Sequence, residues 1–186
     1  MTALPLLLLL AAADPAGGAA GTWSVADGST ISFHLVHKFH SVDGVARAVE
    51  GKALLSPDGA LQFAVRARVA GFDSGNSNRD AHMLEVVEGA RLPFVTLKGT
   101  AEGVRADAFP ATVDVPLRGA LEFHGVTQAL DVTAHVRFTA PDRAEVVAEF
   151  PVSLTAHGVA RPSLLFVKVE DRLAITARLV LAREAR

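Results

Sequence analysis

Leu130-Asp131-Val132-Thr133-Ala134-His135-Val136-Arg137-Phe138 puts an apolar side chain at every second position and a polar one between. Successive side chains of a strand point to opposite faces, so this stretch reads as a β-strand with one face in a core and the other in water. The same period recurs in both directions. Upstream, Val113, Val115, Leu117, Leu121 and Phe123 alternate with Thr112, Asp114, Arg118, Glu122 and His124. Downstream, Leu173, Ile175, Ala177, Leu179 and Leu181 alternate with Arg172, Thr176 and Arg178. Leu61, Phe63, Val65, Ala67 and Val69 form a further apolar face, as do Ile31, Phe33, Leu35, His37 and Phe39. Shorter strands are expected at 45–55, 94–99, 145–154 and 164–169. Turn chemistry separates them at Ser56-Pro57-Asp58-Gly59, Gly125, Pro141-Asp142 and Glu170-Asp171.

Residues 78–89 break the alternation and are rich in helix formers. Ser77-x-x-Asp80 has the form of a capping box and Gly89 that of a left-handed stop. The expected fold is therefore all-β, an antiparallel lipocalin-like β-barrel of about eight strands with one short inserted helix. Closure removes exposed sheet edges, and small inward candidates (Ala67, Ala134, Ala148, Ala177) leave room for a cavity. Alternation alone does not separate this from a β-sandwich.

The 186 residues carry 18 basic and 20 acidic side chains, which gives no electrostatic reason to expect a nucleic acid or an anionic membrane as partner. With no cysteine, disulfides, thiolate metal sites and catalytic thiols drop out together. At the N-terminus, the ten-residue apolar run from Leu4 to Ala13 is too short to span a bilayer, which takes about 20 residues. It suits a signal peptide, although no Lys or Arg precedes it; a disordered start is the other reading. Residues 1–21 are thus expected to be signal peptide and linker, with the domain occupying 22–186 and the fold beginning near Trp23.

Candidates for chemistry are few. His34, His37 and His40 are spaced by three, which on a strand places His37 on the face opposite the other two. They cannot converge on one metal ion without a bend, and no metal is expected. His37 is either a hydrogen-bonded core histidine or a polar contact for a ligand. The polar loop 73–80 fails the calcium pattern at its twelfth position, Leu84. It reads as a strand-to-helix connection, with an anion site as the alternative. No nucleophile elbow, P-loop or dinucleotide fingerprint is present, so no catalytic residue is nominated and the chain is read as a non-enzyme.

Three stretches carry a resemblance. They are Trp23-Ser24-Val25 through Phe33, His37 and Gly44; Phe72 to Leu84 followed by Leu92-Pro93-Phe94; and Leu117 to Thr127. Together they resemble the YceI-like family of lipocalin-like bacterial envelope proteins over about Trp23 to Leu181. The resemblance implies an extended barrel around an apolar channel that binds a polyisoprenoid or similar long-chain lipid in the periplasm. It places His37, Arg79, Asp80, His82 and Gly125 on recurrent positions, with Arg79, Asp80 and His82 tying the helix to the barrel. The family's paired Phe after the helix is replaced by Val86-Val87-Glu88, and Gln128-Ala129 stands where a Pro is usual.

From face and resemblance, the expected ligand-binding wall is Phe33, Leu35, His37, Phe63, Val65, Leu117 and Phe123. The expectation is a periplasmic or secreted carrier of a small-molecule lipid, with no cofactor and no integral membrane segment, and with a homodimer left open. A metal- or His-dependent envelope enzyme and a ligand-free structural stress-response protein are the alternatives.

Overall fold

The alternation is realised as long antiparallel strands. A computed structural model of the chain describes residues 18–37, 40–161, 163–164 and 167–185. The elements are β1 (Gly21–His37), β2 (His40–Ala46), β3 (Val49–Leu55), β4 (Leu61–Arg68), β5 (Phe72–Asp73) and α1 (Ser77–Val86). There follow β6 (Phe94–Ala101), β7 (Ala111–Phe123), β8 (Val126–Ala140), β9 (Arg143–Ser153), β10 (Ser163–Leu164), β11 (Val167–Lys168) and β12 (Arg172–Arg183). Hydrogen-bonded neighbours run β12-β9-β8-β7-β6-β4-β3-β1, and β1 pairs back onto β12. This closes an eight-stranded antiparallel barrel, and with it the sandwich alternative falls.

The expected strand at 45–55 is two strands that share one edge of β1. β2 pairs with the upper part of β1 (Ile31 with Ala46) and β3 with its start (Trp23 with Ala53), while β12 runs along the other edge. The interruption at Arg47-Ala48 faces a bulge in β1 between Ala26 and Thr30. There the buried Ser29 hydroxyl substitutes for the ladder, donating to Ala26 O (2.7 Å) and accepting from Val180 N (2.9 Å). The expected strand 31–39 ends at His37, and His40 sits across the hairpin from it, so the three histidines do not share one strand. Phe39 and the expected signal peptide lie outside the described residues, the linker's last residues excepted.

Those last residues belong to the fold. Ala19 is buried, its N–H donates to Ala106 O (3.1 Å), and its carbonyl accepts from Trp23 Nε1 (2.9 Å). Trp23, 2 % exposed, stands edge-on to Phe138 and closes one end of the barrel with Val104, Val115 and Leu55. At the other end Val69, Val87, Leu154 and Val159 form a second cluster beneath α1.

The helix is capped differently from expectation. Asn76, not Ser77, accepts from Arg79 N (3.1 Å), and Asp80 instead receives the backbone N–H and hydroxyl of Ser74. At the C-terminus the left-handed residue is Glu88 (φ 50°), not Gly89. Gly89 N donates to Leu84 O (2.8 Å) and Glu88 N to Glu85 O (3.2 Å), the two bonds of a Schellman motif.

Candidate functional site

Between the two end clusters, large apolar side chains face inward without being fully buried. Phe33, Phe63, Val65, Leu97 and Leu117 are all only partly covered, because they border a cavity of about 380 Å³ rather than other side chains. That volume falls in the range of small-molecule sites, about 300–1,000 Å³. Small residues make the space: Ala134, Ala148 and Ala177 stand on the wall where a larger chain would fill it. The wall is almost wholly apolar; apart from Lys52 on β3, its polar members gather where α1 meets the barrel, at Ser74, Arg79, Asp80 and His82.

Of the expected wall residues, Phe33, Leu35, Phe63, Val65, Leu117 and Phe123 line the cavity. His37 does not. It is buried (4 % exposed) at the end of β1, with its ring against that of His40 at 5.1 Å. Period-2 alternation gives a residue's face but not its height along the barrel axis, and His37 stands beyond the cavity's end.

Arg79 and Asp80 hold the start of α1 to the strand before it. Arg79 Nη2 donates to Ser74 O (2.6 Å) and Nε to Ser74 Oγ (2.8 Å), and the Ser74 hydroxyl in turn donates to Asp80. His82, expected to join in this tie, faces Glu85 of its own helix (3.6 Å) and borders the cavity. Asp73 Oδ1 accepts from Gly75 N (2.8 Å), so the polar loop satisfies its own backbone as a connection would. Val86 and Val87, which stand where the resemblance leads one to expect Phe, are on the cavity wall.

The sequence reading missed the part of the rim that faces the end of α1. The turn His124-Gly125 joins β7 to β8 with both residues at positive φ (51° and 72°), as a two-residue hairpin turn of right-handed twist requires. His124 Nδ1 donates to His157 O (3.0 Å), and its Nε2 stands 3.5 Å from Glu88 Oε1. The Arg91 guanidinium, hydrogen-bonded to Glu88 at 2.7 Å, holds the Glu88 carboxyl below the usual glutamate range, with a smaller contribution from His124.

Among the described residues no three His, Cys, Asp or Glu side chains are grouped to hold a metal ion, and no helix is long and apolar enough to cross a membrane.

Comparison with known proteins agrees with the geometry. A polyisoprenoid binding domain from Saccharophagus degradans superposes with a TM-score of 0.70 at 16% identity, covering 87% of this chain and 98% of that one. BcnA of Burkholderia cenocepacia gives 0.67 at 17% identity, over 82% and 95% of the two chains. The YCEI protein of Campylobacter jejuni gives 0.62 at 15%, over 78% and 86%. No curated protein sequence matches. The family model of the YceI-like domain matches residues 23–181, nearly the whole described barrel, and the chain belongs to that family.

Proposed function

We propose that this protein is an exported carrier that holds one isoprenoid-type lipid in its barrel. The observation that carries the reading is the apolar lumen itself, a cavity of about 380 Å³ bordered by half-covered Phe and Leu side chains. Burying each CH₂-sized group of a ligand there is worth about 0.8 kcal/mol, so a branched chain of several units binds with few polar contacts. Shape then sets selectivity: the valines at 86 and 87 widen the α1 end of the wall. The related Saccharophagus degradans domain, described as polyisoprenoid-binding, supports the same class of ligand. The apolar run Leu4–Ala13 supports export to the periplasm.

The test is mass spectrometry of organic extracts from protein purified without detergent from the bacterial envelope. A stoichiometric isoprenoid-type lipid is expected, and it should be lost when the cross-strand wall pair Val65 and Leu97 is replaced by Trp. Natively folded protein that carries no lipid and takes up none when offered would overturn the carrier reading.

A further inference from the structure

One seam of the closed barrel is only partly laddered. β8 is paired with β7 from Val126 to Phe138, and β9 is paired with β12 from Arg143 to Ser153. Between β8 and β9, however, the ladder stops at Ala134 with Ala148, so residues 126–133 and 149–153 have no partner in each other among the described residues. Pro151, which has no N–H to give a ladder, sits in this unpaired stretch. The short helical turn Thr155–His157 straps the top of the gap, fixed by Gln128 Nε2 donating to Ala156 O (2.8 Å).

Strand parity puts Gln128 and Leu130 on the inner face with Val132 and Ala134. Even so, neither borders the lumen. They line a separate recess of about 220 Å³ in the gap, together with Pro151 and His157. Leu121 and Val152, both buried, border the recess on one side and the lumen on the other. Two apolar side chains therefore stand between the two spaces.

His157 gives this recess a chemistry. The residue is 3 % exposed, its ring packs on Phe123 at 5.6 Å, and Nδ1 lies 2.9 Å from Ser153 O. A carbonyl can only accept, so Nδ1 carries the proton and Nε2 of the neutral ring is an acceptor. That buried Nε2 has no hydrogen-bond partner. Buried acceptors are almost always satisfied, and this one calls for a donor.

Resting on the carrier reading above, the geometry points to the β8–β9 recess as the head-group site for a lipid bearing a hydroxyl. The hydroxyl donates to His157 Nε2, and the tail passes between Leu121 and Val152 into the lumen. A prenyl alcohol or a phenolic prenyl lipid has this chemistry. An ether or a ketone of the same length does not, because it brings a second acceptor to an acceptor.

The test compares geranylgeraniol with its methyl ether for equilibrium binding to the full chain, freed of endogenous lipid. One hydrogen bond to an otherwise unfilled buried acceptor corresponds to about a tenfold preference for the alcohol. In His157→Phe the preference should fall to about one. Because that variant also loses the bond to Ser153, Leu130→Trp, which fills the recess and leaves His157 in place, serves as the second variant and should abolish the preference too. In the parent protein, the ¹⁵N resonance of His157 Nε2 should move on addition of the alcohol and stay with the ether. Strong binding of both ligands without preference, or a preference that survives Leu130→Trp, would overturn the head-group site and leave the carrier reading standing. Binding of neither ligand by folded protein would count against the carrier reading itself.

Discussion

The ring of Phe33 lies across Gly44, its cross-strand partner on β2. A Cβ at position 44 would come within 2.6 Å of Phe33 Cζ and closer still to Cε1, so only glycine leaves room for the ring. Phe33 in turn contacts Phe72 at 5.7 Å and borders the lumen. This contact links a sequence position to the shape of the cavity.

Gly44→Ala is accordingly expected to push the Phe33 ring out of its place against the strand. Overpacking of this kind costs about 1–3 kcal/mol. The displaced ring must turn along the strand or into the lumen, so lipid capacity should fall together with the melting temperature. Thermal melts and uptake of a prenyl lipid by the same preparation check both. Unchanged stability with an alanine at 44 would show that the ring relaxes without resistance.

Much of this architecture was legible in the residues. Alternation located the long strands, and the inner face it assigned to Phe33, Leu35, Phe63, Val65, Leu117 and Phe123 is the face that borders the cavity. What it did not yield has specific causes. His37 has the right parity but stands at the hairpin end of β1, and parity says nothing of height. Gly89 looked like the left-handed stop, yet a Cβ there would meet Leu84 Cδ2 at 2.7 Å, so tight packing holds the glycine and Glu88 takes the strained conformation. The gap beside Gln128 was hidden because alternation continues through a strand that has lost its neighbour. Pro151, inside an otherwise alternating run, was the one local sign of it.

The described fold begins before Gly21, and this bears on where a leader can be removed. A chain starting at Gly21 loses the acceptor for Trp23 Nε1, and with it the two carbonyls, Gly18 O and Ala20 O, held by Arg183 Nη1 at 3.0 and 3.2 Å. Leaving a buried donor unsatisfied costs about 1–3 kcal/mol. A chain starting at Gly21 should therefore melt lower than one starting at Asp14, and the exported protein should retain Gly18–Ala20. Intact mass of the envelope form reads the cleavage point directly; a mature N-terminus at Gly21 or later would contradict this.

Asp171 clips the end of β9 to the approach of β12. Its carboxylate accepts from Ser153 Oγ (2.6 Å) and Thr155 N (2.8 Å), and its carbonyl from Leu154 N (2.9 Å). The Ser153 hydroxyl, foremost, and the Thr155 N–H hold its carboxyl below the usual aspartate range. A lowered folded-state value means the contribution is present above the unfolded value and is lost as pH falls through the folded one. Asp171→Ala should lower stability at neutral pH by about 1–2 kcal/mol, discounted from a buried charged bond because the group is largely solvated. At pH values below the carboxylate range the variant and the parent should converge, which denaturant melts at several pH values will show.

Glu88 offers a sharper contrast, because its backbone and its side chain pull in opposite directions. In the left-handed region a residue with a Cβ is strained, while the carboxylate gains from Arg91 (2.5 Å to Nη2) and from His124 across the rim. The ion pair is solvent-exposed and worth little, so the backbone effect should win. Glu88→Gly is expected to raise the melting temperature, whereas Glu88→Ala, which keeps the strain and removes the pairing, should lower it. Both should also flatten the response to acid. The Glu88 carboxyl is held below its ordinary range, so its contribution is present at neutral pH and disappears as pH falls through the folded value. Melts of the parent and the two variants from neutral pH into the acid range separate the terms. If Gly and Ala prove equivalent at position 88, the left-handed backbone carries no penalty there and the side-chain pairing alone sets the stability of this turn.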